Sequence, residues 1–269
     1  MLNFKKLQRV KTKKIVVLGL SLLIIGLMGS CAKREKITEL SQLKGKEIGV
    51  PMGTIADKLV LSKFPNTTFK YYNNIMDACL AVKTGKVDAA AYDEPILRNI
   101  AAKNQDLMVF DEMITLDSYG FAVRLTDYDL KNTIDIVLEE LKDNGLYEDM
   151  HKRWLPEIGN PAPMPEFHYA SDDVIRFGTS SVTEPFSFVD KNGQVVGLDI
   201  EIANYIAMKL NKKLEIVNME FGSLIPALAA NKVDFIGACI TISEERAMSV
   251  LFSDSYYIGG IAAIVKKVQ

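Results

Sequence analysis

One grammar occurs twice in this chain, and it restricts the fold more than any other feature. Short apolar runs bounded by turn residues alternate with helical patterns, first over residues 37–110 and again from 174 onward. Strands alternating with helices build α/β sheets, because each helix that returns the chain also covers a sheet face. In the first stretch, 47–50 reads as a strand, Gly53-Thr54 as a turn and the residues through 62 as a helix. A strand at 68–71 precedes a helix at 74–84, with Ile75, Cys79 and Val82 on one face and Gly85 as its cap. A buried strand at 87–92, a helix opened by Pro95 and a strand at 107–110 follow. In the second stretch, strands are expected at 175–179 and 186–189, with a hairpin turn at Asn192-Gly193. A helix at 199–210, a strand at 214–218, a helix at 224–230 and a buried strand at 235–238 complete it. Parallel sheets are the expectation.

The two stretches also share a local echo. AVKTGKVD at 81–88 parallels ALAANKVD at 227–234, each a helix end, a Gly or Asn cap and an entry into a buried strand. The match is too short to establish duplication, and such turns are common. Between the stretches, 156–173 holds Pro156, Pro161, Pro163 and Pro165. Proline at this density prevents helix and favours extended backbone, so the segment reads as a linker.

Residues 1–30 read as a targeting segment. Lys5, Lys6, Arg9, Lys11, Lys13 and Lys14 precede an apolar run at 15–28, shorter than the ~20 residues a membrane span needs. The run ends in LMGSC at 27–31, which resembles a lipobox with Cys31 as the diacylated residue; an ordinary signal peptide is the plainer alternative. The whole chain has 32 basic and 34 acidic residues, and six of the basic ones lie in 1–30. The remainder is therefore acidic, which argues against nucleic acid as a partner. Apart from Cys31 the cysteines are Cys79 and Cys239. Neither they nor His151 and His168 stand in metal-ligand spacing, so no metal or cofactor is expected. Two lone cysteines in apolar contexts read as buried small hydrophobes, with a disulfide as the lesser alternative.

GLDIEIANYIAMKL at 197–210 resembles the signature of the family 3 extracellular solute-binding proteins, receptors for polar amino acids and related solutes. Around it stand EPF at 184–186, FGSLIPAL at 221–228, ITISEER at 240–246 and FSDSYY at 252–257. Further landmarks lie upstream: LKGKEIGV at 43–50, Gly53-Thr54, DEP at 93–95, YGFAV at 119–123 and KRWL at 152–155. The resemblance implies an α/β, two-lobe periplasmic-binding-protein-like clamp of type II. It puts lobe 2 at 37–117, a hinge strand and closing helices on lobe 1 at 118–155, and lobe 1 at 174–269. The family's chain starts in lobe 1, visits lobe 2 and returns. Here the halves stand in circularly permuted order; the alternative is a fragment of a tandem array completed by another chain. One lobe crossing is expected at 117–123, with the second interrupted and restored by pairing of the 261–266 strand beside the hinge.

The chemistry of an amino-acid site can be argued from the residues themselves. A free amino acid carries a carboxylate and an ammonium on one carbon, and burying both requires a partner for each. Arg246 offers a guanidinium fork for the carboxylate, and Asp93, just past a buried strand, an anion for the ammonium. Asp93 and Thr241 fall at the carboxyl ends of strands, where open α/β sheets bind ligands. Without the surrounding motifs, Arg246 would read as a helix-surface cation, Asp93 as a helix N-cap and Phe221 as core. The resemblance implies these same roles and adds Thr241 on the carboxylate, Phe221 as an apolar wall and the Gly53-Thr54-Ile55 turn as backbone donors. Tyr92 joins the candidate lining. Three positions depart from the family's pattern: Thr183 replaces a common aromatic, Cys239 a common glycine and Ser180 a common acid. The expected function is a lipid-anchored, extracytoplasmic amino-acid receptor of the cell envelope, a monomer and not an enzyme, serving an ABC transporter permease. The alternatives are a dehydratase on the same fold, acting on cyclohexadienyl acids, and a sensory binding module.

Overall fold

The structure, a computed structural model, describes residues 36–155 and 163–267. The expectations placed on 1–30, on Cys31 and on 156–162 of the linker lie outside the described residues.

Local sequence chemistry explains most of the first half. β1 (Glu47–Pro51) is buried along nearly its whole length and leads through the Gly53 turn into α1 (Ala56–Lys63). β2 (Thr68–Tyr72) lies parallel beside it. α2 (Ile75–Lys83) starts where the Asn74 side chain accepts the Asp77 N–H at 3.0 Å, satisfying one orphan donor of the first turn. It stops at Thr84, just ahead of Gly85 with φ +71°. β3 (Ala89–Asp93) is buried at all five residues, and α3 (Glu94–Lys103) carries Pro95 in its first turn, where a missing N–H costs nothing. β4 (Leu107–Val109) follows, then β5 (Asp117–Tyr119) and β6 (Ala122–Val123). α4 (Tyr128–Asp143) and α5 (Leu146–Trp154) end the half.

The second half repeats the plan. β7 (Val174–Thr179), the short strands β8 (Val182–Thr183), β9 (Ser187–Val189) and β10 (Val195–Val196), and α6 (Leu198–Lys209) come first. β11 (Lys213–Asn218), α7 (Leu224–Ala229), β12 (Phe235–Ile236) and α8 (Glu244–Ala247) follow. β13 (Leu251–Phe252), β14 (Tyr257–Gly259) and β15 (Ile261–Lys266) close the chain.

Two five-stranded sheets result, ordered β2-β1-β3-β15-β4 and β11-β7-β12-β6-β13. Each is the core of a lobe, and each borrows one strand from the other half of the chain. β15 lies antiparallel between β3 and β4, and β6 lies antiparallel between β12 and β13. The sheets are therefore mixed, not parallel throughout. The reason is geometric: β1 and β3 run toward the cleft between the lobes, and a strand arriving from the other lobe enters at the cleft and must run away from it.

The placement of β15 corrects two expectations. The strand at 261–266 belongs with the β1 sheet, whereas the sequence grouped it with 174–269. The second lobe crossing is also continuous backbone: β14 pairs antiparallel with β5 as a two-stranded hinge, and the chain passes from Gly259 through Gly260 into β15. Both crossings are covalent. Ile261, Ala263 and Val265 then pack with Ile37, Leu43, Ile48 and Val60 in the β1-lobe core.

α4 and α5 pack on α6 of the β7 lobe. The buried Glu201 carboxylate on α6 accepts from Arg153 at 2.8 Å and from the Trp154 indole at 2.6 Å. Residues 163–173 run without regular structure alongside the same helix, with Phe167 edge-on to Tyr205 and Tyr169 donating to Asn204. Among the described residues Cys79 and Cys239 are both free and buried. No described helix is long and apolar enough to cross a membrane.

Candidate functional site

The carboxyl end of β3 and the turn after β1 face the 221 and 239–246 segments of the β7 lobe. Hydrogen bonds zip that second segment to the hinge: Gly120 N–H to the Ile240 carbonyl at 3.1 Å and Ile242 N–H to the Ser118 carbonyl at 2.8 Å. Thr241 is thereby bridged to Tyr119 and held at the cleft. Ser243 caps α8 by accepting the Arg246 N–H at 3.3 Å, which fixes the start of the helix that presents the Arg246 side chain.

Arg246 is 8% exposed, an unusual depth for a guanidinium. It donates to the Thr241 carbonyl at 3.0 Å and stacks over the Phe221 ring at 5.4 Å. Burial lowers its pKa while the charge of Asp93 raises it. Asp93, 5% exposed, accepts from the Tyr119 hydroxyl at 2.6 Å. Burial pushes its carboxyl up to about 7, against the opposing pull of the Tyr119 hydrogen bond and of Arg246. The site thus holds one buried cation and one buried anion, supplied by different lobes.

Thr54, Ile55, Tyr92, Asp93, Phe221, Cys239, Thr241 and Arg246 line one cleft, together with Ala56 and Ile261. Gly53 lines an adjoining arm with Gly222, Leu224, Ile225 and Ile240, which shares Phe221 and Arg246 with the first. The lobes touch here: a Cβ on Gly53, whose φ is +77°, would stand 2.6 Å from the Gly222 Cα. Ion pairs span the lobes on either side, Lys58 with Glu245 and Lys103 with Glu184.

Nine of the eleven residues proposed from sequence are thus brought to the cleft, Gly53 in its side arm. Ser180 and Thr183 stand back from it. The Thr183 hydroxyl donates to the Ser180 carbonyl at 2.9 Å and lies against the Cys239 thiol, so the pair backs the wall without forming it.

Two supporting residues escaped the sequence analysis. Tyr119 is fully buried between Tyr257, stacked at 5.7 Å, and Phe186, edge-on at 6.0 Å, and it steers Asp93. Asp199 on α6 accepts the Cys239 N–H at 3.1 Å, and burial pushes its carboxyl up to about 6. That bond braces Cys239 at φ +53°, a left-handed conformation that costs a non-glycine residue ~1–2 kcal/mol. Tyr119 sat in the YGFAV run and Asp199 in the 197–210 signature; both read there as fold markers. Among the described residues no group of three potential metal ligands occurs.

A model of the bacterial extracellular solute-binding proteins, family 3, matches residues 175–269. That stretch of the chain is similar to the family. The L-arginine-binding protein of Pseudomonas aeruginosa is 37% identical over 89 residues, covering 33% of this chain and 34% of its own. The lysine/arginine/ornithine-binding periplasmic protein of Escherichia coli K12 is 34% identical over 98 residues, covering 36% and 38%. The arginine-bound form of a truncated ArgBP from T. maritima is 45% identical, covering 31% of this chain and 40% of its own, with a TM-score of 0.31. The matched stretches span about a third to a half of the length of the curated relatives.

Proposed function

We propose that this protein is a type II clamp that closes two lobes on a free amino acid. It would serve as the extracytoplasmic receptor of an ABC importer. The observation that carries this is the pairing of buried Asp93 on the β1 lobe with buried Arg246 on the β7 lobe in one cleft. Each group is costly alone in a dry site, and a zwitterion placed between them gives each a partner. Thr241 and the Thr54-Ile55 turn supply further polar contacts, and Phe221 an apolar wall. Two antiparallel hinge strands allow the lobes to rotate without breaking either sheet.

The order of the halves supports a circular permutation. Each sheet is completed by a strand from the other half of this same chain, which favours a self-contained monomer over an array of exchanged halves. Lipid attachment through Cys31 at the cell envelope and docking on a permease belong to the same proposal. The relatives are named as binding proteins, and for the dehydratase alternative the described cleft lining offers Asp93 as its one carboxylate. Glu184 is drawn to Lys103 and lies outside the cleft lining.

A thermal-shift screen of the full chain against the twenty standard amino acids tests this. A ligand at a hundred times its Kd adds ~2.7 kcal/mol of stability and raises Tm visibly. No shift with any amino acid, or turnover of a cyclohexadienyl acid, would reject the clamp.

A further inference from the structure

One side chain joins the second hinge crossing to the buried carboxylate of the cleft. Tyr119 on β5 pairs with Tyr257 on β14, and the two rings stack at 5.7 Å. The Tyr119 ring ends against Gly259, two residues further along β14. A Cβ on that glycine would stand 2.5 Å from the Tyr119 hydroxyl oxygen and 2.7 Å from the ring carbon that bears it. Any side chain at 259 would therefore displace the tip of the ring. The same hydroxyl faces the Gly260 backbone and donates to the Asp93 carboxylate at 2.6 Å.

Gly260 is itself held on two sides. Its carbonyl accepts the N–H of Glu94, the residue after Asp93, at 2.9 Å. A Cβ on Gly260 would meet the Thr115 carbonyl oxygen at 1.9 Å, so this crossing is pressed against the approach to the first. Ile261, next along, pairs with Asp93 in the β1 sheet. The backbone of Tyr119 meanwhile bridges to Thr241 of the other lobe. One hinge residue thus touches the cleft from both lobes.

We propose that Tyr257 and Gly259 are positioning residues for the site, seating the Tyr119 hydroxyl on Asp93 so that the hinge governs the grip on the ligand ammonium. The clamp assignment enters only in naming the ammonium as what Asp93 receives. A hinge absorbs lobe rotation in a few backbone torsions, and those of Gly259 and Gly260 lie beside that hydroxyl. Rotation there moves the ring tip, and with it a hydrogen bond that favours the ionised carboxylate. The other titratable or charged groups facing Asp93 are Arg246 on α8, Asp117 on β5, Tyr92 on its own strand and the Cys239 thiol.

Carbon-13 NMR of the full, ligand-free chain labelled at its aspartate carboxyls tests the proposal, with Asp93→Asn to assign the signal. Gly259→Ala should raise the Asp93 midpoint by about one pH unit, a tenfold change in ionisation constant, as loss of a hydrogen bond to the charged form does. Tyr257→Leu removes the stacked ring and adds no bulk; it should shift the midpoint the same way, and it decides the matter if Gly259→Ala does not fold. In a Tyr119→Phe background, where the hydroxyl is already gone, neither substitution should shift the midpoint further. An unchanged midpoint in the folded variants would overturn the proposal. So would an equal shift in the Tyr119→Phe background, which would mark a path through Asp117, the register partner of Gly259. The measurement needs no ligand, so failure of every amino acid to bind would reject the clamp and leave the seating of Tyr119 to be judged by these shifts.

Discussion

Asp93 gives the sharpest test of the site, because its protonation and ligand binding must be linked. Burial in the cleft with the lobes in contact raises its carboxyl from 3.8 to about 7. A ligand ammonium beside it favours the ionised form, so binding below pH 7 has to expel a proton. That expulsion costs about 1.4 kcal/mol per pH unit, so at pH 5.5 the penalty is about 2 kcal/mol, or roughly 30-fold in Kd. Affinity measured by calorimetry should therefore be highest at pH 8 and fall through pH 7 toward 5.5, with proton release visible in buffers of different ionisation enthalpy.

The Asp93→Asn variant should bind more weakly at pH 8 and lose this pH dependence. Stability runs the other way. A raised carboxylate contributes stability that is full below its unfolded pKa and is lost as pH rises through about 7. A shift of about three units sets an upper bound of about 4 kcal/mol on that loss. Ligand-free Asp93→Asn should accordingly melt above the parent at pH 8 and level with it near pH 4. Asp199 titrates with the same sign in both proteins, so the difference isolates Asp93. A Kd that stays flat or tightens between pH 8 and 5.5 would refute the linkage.

Four further outcomes are expected. Arg246→Ala should cost about 2–5 kcal/mol of binding, at least tenfold in Kd, while circular dichroism shows the fold intact. Tyr119→Phe removes the donor that favours ionised Asp93, so the midpoint of the binding pH profile should move above that of the parent. Gly53→Ala should hinder closure, because its Cβ would meet the Gly222 backbone at 2.6 Å; Gly222→Ala, with its nearest contact at 3.5 Å, should be milder, and scattering plus calorimetry would separate them. Lys58→Ala and Lys103→Ala break exposed interlobe pairs whose typical worth is ~0–1 kcal/mol, so each should change Kd less than tenfold.

Local periodicity and punctuation were enough to place most elements. Asn74 before a helical run and Gly85 after it mark α2, because capping chemistry acts within a few residues. Pro95 marks the start of α3 for the same reason. The buried runs at β3 and β12 also announce themselves, since a strand covered on both faces must be largely apolar. Asp93, Thr241 and Arg246 were legible because charged and polar types stood at strand ends and within recurring motifs.

Tertiary structure alone decided which sheet each strand joined. Ile261–Lys266 is apolar enough for either lobe, and only the hinge geometry at Gly259-Gly260 sends it between β3 and β4. The same holds for Ala122–Val123 in the other sheet. Tyr119 and Asp199 acquire their roles from partners 26 and 40 residues away, across contacts that no local pattern encodes. Ser180 and Thr183 were drawn to the site by the motif around them and lie buried behind it, where the Thr183 hydroxyl donates to the Ser180 carbonyl. Secondary structure follows from interactions between neighbours in the chain and can be read along it. Strand partnership and the supports of a buried charge depend on contacts between distant segments, which exist only once the two lobes have assembled.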